Sequence, residues 1–147
     1  MSNHLKINEI KQIEYELTTL IRKAVYLEQN KKIGNIDRAL YLLLRKLDED
    51  GPANSKSIAK TFHLDISTVS RQTTTLESLG FIQRFSDPND KRVSLFQITD
   101  EGRQALREDI EKRLDKYTNM LDTWSILECE TFKELLTRMN QALIDEN

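Results

Sequence analysis

Between Asn54 and Gly80 the chain reads "NSKSIAKTF", then "HL", then "DISTVSRQTTTLESLG". The outer segments carry apolar residues at steps of three and four, the repeat of a helix with one buried face. Asn54 or Ser55 opens the first helix. Asp65 is placed to cap the second, and Gly80 to end it in the positive-φ conformation that glycine tolerates. A connection of two residues makes two such helices turn sharply on each other, so the pair reads as a helix-turn-helix.

The rest of the chain is arranged around that unit. Ile10, Ile13, Leu17, Leu20, Ala24 and Leu27 predict an amphipathic helix over roughly 7–30, interrupted by "KKIGN". A second helix fits 36–49, with Asn35 as its N-cap and Gly51-Pro52 as its stop. Its run "ALYLLL" is apolar on nearly every side, which places it at the centre of the fold. After Gly80, "FIQRFSDPNDKRVSLFQIT" reads as two short strands around a charged loop. Thr99 opens a long helix reaching Trp124, with two acids in its first turn and a seam of Leu106, Ile110, Leu114, Tyr117, Leu121 and Trp124. "SILE" at 125–128 is a capping box that starts a last helix. The expected class is mainly α with a small β-hairpin. Three segments follow: 1–34, 35–99 and 100–147.

Composition narrows the function. Charge is −2 overall but unevenly spread: residues 1–52 carry 9 basic and 8 acidic groups, 53–99 carry 6 and 4, and 100–147 carry 7 and 12. A mildly basic middle on an acidic remainder permits a lobe that faces DNA. No apolar run approaches the ~20 residues of a membrane span, and the start lacks the apolar core of a signal peptide. A cytoplasmic protein without membrane contact is expected. Cys129 is the one cysteine, so no intrachain disulfide forms; with His4 and His63 it shows no metal-ligand spacing, and neither metal nor cofactor is expected. Cys129 lies between the acidic Glu128 and Glu130 and is expected to be a passive residue. No nucleophile–base set, glycine-rich phosphate loop or carboxylate–histidine cluster appears, so an enzyme is not expected.

The second short helix carries the most telling surface. At helical spacing Ile66, Val69, Thr73 and Leu76 share a core face. Ser67, Thr68, Arg71, Thr74, Thr75 and Ser78 lie opposite, with Ser70 and Gln72 at the flanks. Solvated helix faces favour Glu, Lys, Gln and Ala, because Ser and Thr are poorer helix formers. In a major groove, small hydroxyls allow close approach and bond phosphates or base edges. Arg71 suits the fork of guanine O6 and N7, and Gln72 suits adenine if turned inward.

Taken together, "LDISTVSRQTTTLESLGFIQR", "DPNDKR" and "ITDEG" resemble the winged helix-turn-helix of the MarR (multiple antibiotic resistance regulator) family. The family outline runs from S-x-V-[ST]-R through L-x-x-x-G-[LFW]-[IV]-x-R and D-x-[DR]-R to L-T-x-x-G. Ile98 stands where Leu is usual. The resemblance implies that segments 1–34 and 100–147 are dimerisation helices flanking the DNA-binding segment 35–99. It implies that the hairpin is a wing over the minor groove, where Asp90 holds the guanidinium of Arg92 and Arg92 enters the groove. A narrow minor groove concentrates negative potential, and a pre-oriented Arg loses less entropy on entering it. Lys91 and Arg84 are expected on phosphates to either side.

The function expected is a homodimeric regulator of double-stranded DNA, a repressor on a pseudo-palindromic operator that a small-molecule effector releases. The effector residues stay open. The alternative is a winged-helix module that binds protein without specific DNA binding. It would need neither Arg71 nor Arg92.

Overall fold

The computed structural model describes residues 2–145. Residue 1 and residues 146–147, the extremities of the two flanking segments, lie outside the described residues. The element order is α1 (Ser2–Gln29), α2 (Arg38–Asp50), α3 (Ser55–Phe62), α4 (Ile66–Ser78), β1 (Ile82–Asp87), β2 (Asp90–Ile98), α5 (Asp100–Met120) and α6 (Ile126–Asp145). This is the helical class with one hairpin that the periodicities predict.

Contacts divide the chain into two compact units, one running to Lys112 and one beginning at Arg113. In the first unit, Leu43, Leu44 and Leu47 of α2 form the centre. Ile58 and Ala59 of α3, Val69 and Leu76 of α4, Ile82, Phe96 and Ile98 of the hairpin and Leu106 of α5 close around them. The "ALYLLL" run is therefore central as expected, except that Ala39 and Leu42 are exposed. The strands pair antiparallel from Ile82↔Ile98 to Asp87↔Asp90, with a bulge between Ser86 and Asp87. Ala53 adds a two-bond bridge to Phe96, fastening the hairpin to the segment before α3.

Local caps form as the sequence indicates. Asn54 accepts from the Ser57 N–H at 2.8 Å, and Asp65 from the Thr68 N–H at 2.7 Å. The Thr99 hydroxyl oxygen accepts from the Gly102 N–H at 3.0 Å, and the Ser125–Glu128 box closes in both directions at 2.9 and 3.1 Å. Gly80 sits at φ +79°.

Four boundaries or faces differ. First, α1 starts earlier than expected, at Ser2. Second, α2 starts at Arg38, after Asp37, and Asn35 is not its N-cap. The buried carboxylate of Asp109 instead accepts from the Asn35 N–H at 2.5 Å and the Ile36 N–H at 3.0 Å, holding that linker against α5. Third, α5 ends at Met120, because the capping box needs a non-helical turn before Ser125. Its seam is buried at Leu106 but open at Leu114 and Tyr117. Fourth, Ile66 is not in the core: it is the first residue of α4 and is 53% exposed.

Candidate nucleic-acid interface

Helix α4 begins with its polar groups already engaged. Asp65 accepts from the Ser67 hydroxyl and the Thr68 backbone N–H, both at 2.7 Å. Those bonds, the Ser67 bond first, hold its carboxyl down at about 2 against an ordinary 3.8. Val69, Thr73 and Leu76 face the core. The buried Thr73 hydroxyl donates to the carbonyls of Val69 and Ser70, so the core receives a polar side chain with its proton satisfied.

The opposite face is open. Ser67, Ser70, Arg71, Thr74 and Thr75 are exposed, and Thr68 and Gln72 are half-buried. Arg71 Nη2 donates to Thr68 Oγ1 at 3.1 Å, which lays the guanidinium along the helix surface. The Thr75 and Ser78 hydroxyls donate to the carbonyls of Arg71 and Thr75, which leaves their oxygen lone pairs free to accept.

The hairpin tip is ordered by its acids. Asp87 accepts from the Asn89 N–H at 2.9 Å across Pro88. Asp90 Oδ1 accepts from the Arg92 backbone N–H and from Arg92 Nε, each at 3.1 Å. The Arg92 side-chain bond is the main reason the Asp90 carboxyl lies below the usual carboxylate range. Arg92 is nonetheless 92% exposed, so its guanidinium is oriented while remaining available. Lys91 is exposed beside it. Asp90, Lys91 and Arg92 make no hydrogen bond or ion pair with α4 among the described residues.

Arg84 behaves differently from the tip. Its Nη2 lies 2.8 Å from Glu77 Oε1 of α4, and its guanidinium carbon lies 5.0 Å from the centre of the Phe96 ring. With Ser70, Thr73 and Ile66 it borders a groove of about 360 Å³ between α4 and the hairpin, which Lys56 at the start of α3 also lines. Glu77 and Lys56 were not legible as site residues. The resemblance marks the Arg84 position but nothing in the sequence pairs it with Glu77, and an isolated lysine carries no positional signal. Among the described residues no cluster of His, Cys, Asp and Glu could hold a metal ion, and no helix is long and apolar enough to cross a membrane.

Comparison with known proteins converges on one family. The MarR family pattern matches residues 36–94. The uncharacterized HTH-type transcriptional regulator YxaD of Bacillus subtilis is 58% identical over 139 residues, covering 94% of this chain and 97% of that protein. The crystal structure of MarR superposes with a TM-score of 0.75 at 20% identity, over 89% of this chain and 90% of that one. The PcaV regulator of Streptomyces coelicolor, crystallised with its natural ligand, gives 0.69 at 24% identity over 86% and 91%. At those identities the two crystal structures speak for the fold, and the family rests on YxaD and the matched pattern. The chain belongs to the MarR family of winged helix-turn-helix, DNA-binding transcriptional regulators.

Proposed function

We propose that the protein represses transcription by binding a pseudo-palindromic operator as a homodimer, and that a small effector releases it. The observation that carries this is the pairing of an exposed hydroxyl–arginine face on α4 with a hairpin tip whose Arg92 is pre-oriented by Asp90. In this reading α4 lies in the major groove. Arg71 forks onto a guanine edge, while Ser67, Thr68, Ser70, Gln72, Thr74 and Thr75 bond phosphates and base edges. Arg92 enters the adjacent minor groove and Lys91 meets a phosphate. Two α4 helices related by a twofold axis then read half-sites about one helical turn apart.

The exposed apolar residues of α1, such as Ile10, Ile13 and Leu20, support pairing with a second copy. The natural ligand seen with PcaV supports an effector. Selection from a random duplex library near physiological salt tests the reading. An enriched palindrome, bound more weakly by Arg71→Ala and by Arg92→Ala, is expected. Absence of any enriched sequence from ligand-free protein would sink it and favour the protein-binding alternative.

A further inference from the structure

Ile66, Ser70, Thr73 and Glu77 follow one another along α4 at steps of four, three and four, so they share one face of the helix. The first three border the groove beside the hairpin, and Glu77 ends the row with its ion pair to Arg84. Arg84 is thus engaged from two sides. The carboxylate of α4 holds its guanidinium, and the ring of Phe96, its register partner on β2, lies beneath it. Phe96 is itself fixed, 2% exposed and tied by two backbone bonds to Ala53.

Arg92 keeps its guanidinium 92% exposed beside Asp90. The Arg84 side chain, by contrast, is 50% exposed, with Nη2 taken by the Glu77 carboxylate at 2.8 Å and its guanidinium carbon over Phe96, so it is poorly placed for a phosphate. That carboxylate neutralises its charge and adds a negative group near the DNA face. The pair does suit a mechanical task. Helix α4 and strand β1 are joined through Leu79, Gly80 and Phe81, and the core and the Ala53 bridge fix the base of the hairpin, so the pair bears on the stretch from Phe96 toward the tip. Arg92 lies four residues beyond Phe96 on β2, a lever of roughly 13 Å. A rotation of about 10° there would move Arg92 by about 2 Å, more than a hydrogen bond tolerates.

We propose that the Glu77–Arg84 pair is a latch setting the angle between recognition helix and wing, which makes Glu77 a positioning residue for operator binding. The inference rests on the DNA-binding reading above. It has an outcome of opposite sign from the phosphate-contact role that the family resemblance suggests for Arg84.

The test measures affinity for the duplex enriched by wild-type protein, across a range of salt, for Glu77→Ala, Arg84→Met and the double variant. Arg84→Met keeps an apolar cover on Phe96, and alanine suits the helical position of Glu77. Thermal unfolding confirms that each variant is folded. A latch predicts that Glu77→Ala weakens binding about three- to tenfold, that the double variant is no weaker than the weaker single, and that the salt slope is unchanged throughout. Tighter or unaltered binding by Glu77→Ala overturns it. So does a slope lowered by about one in Arg84→Met, the mark of a lost phosphate contact. If wild-type protein enriches no duplex, the DNA-binding reading fails and the latch falls with it.

Discussion

At the scale of single residues, the acids at the hairpin tip orient the basic groups proposed to meet DNA. Asp90 places Arg92 without covering it, since the guanidinium stays 92% exposed. Removing the base and removing its holder should therefore differ. Arg92→Ala should weaken operator binding about tenfold and lower the salt slope by about one. Asp90→Ala should weaken it only a few-fold with the slope retained, because the cation remains and only its orientation is lost. Titrations at several salt concentrations separate the two, and equal slope losses would remove the orienting role.

Asp65 gives a pH signature of its own. Its carboxyl is held at about 2 against 3.8, chiefly by the Ser67 hydroxyl and the Thr68 N–H. A depressed carboxyl contributes stability in full above its unfolded value and loses it as pH falls through the folded one. The thermal-midpoint difference between wild type and Asp65→Ala should therefore be constant above about pH 4 and shrink toward about pH 2, at fixed protein concentration. A difference that stays flat across that window would show that the cap bonds do not depend on the charge.

Among the elements, the joint at the base of the hairpin is the least forgiving. Gly102, in the first turn of α5, passes so close to Phe81, just before β1, and to Ile98, at the end of β2, that an added Cβ would clash with the Phe81 carbonyl oxygen and sit 2.9 Å from Ile98 Cγ1. Phe81 cannot easily retreat, because its carbonyl accepts from the Thr99 N–H at 3.0 Å while Thr99 bonds the Gly80 carbonyl at 2.6 Å. Gly102→Ala should destabilise the protein by about 1–3 kcal/mol, the usual range for forced overpacking. A lowered urea midpoint with unchanged slope on denaturant would show it. The same contact explains why a glycine follows two acids at the start of α5: the acids suit the helix dipole, and the glycine lets the helix approach the strand.

For the whole molecule, apolar surface decides. Leu5, Ile10, Ile13, Leu20 and Ile21 of α1 are each about half exposed or more, and on α6 so are Leu127 and Leu135. Soluble monomers rarely leave such stripes open. Sedimentation should return twice the 17.2 kDa of the chain, and Leu135→Glu with Leu127→Glu should shift the protein toward monomer while weakening operator binding. A monomer in wild-type protein at micromolar concentration would contradict the homodimer proposal.

What the sequence determined by itself was local. The caps at Asn54, Asp65, Thr99 and Ser125, the left-handed Gly80 and the two-residue turn all join groups within a few residues. Short-range geometry and the 3.6-residue repeat therefore suffice to place them. The equally local Asp90–Arg92 pair was implied instead by the family resemblance. Tertiary structure decided what meets across the chain. Asn35 looked like a helix cap until Asp109, 74 residues away, supplied the acceptor for its backbone. Ile66 had the spacing of a core residue, yet it stands at the open end of α4. The seam of α5 continues in sequence well past the point where its neighbours cover it. Glu77 and Arg84, seven residues apart, meet only because a left-handed glycine folds the strand back beside the helix. Periodicity tells which face of an element is apolar. What lies against that face depends on packing between distant segments, where each contact has a partner the local sequence does not contain.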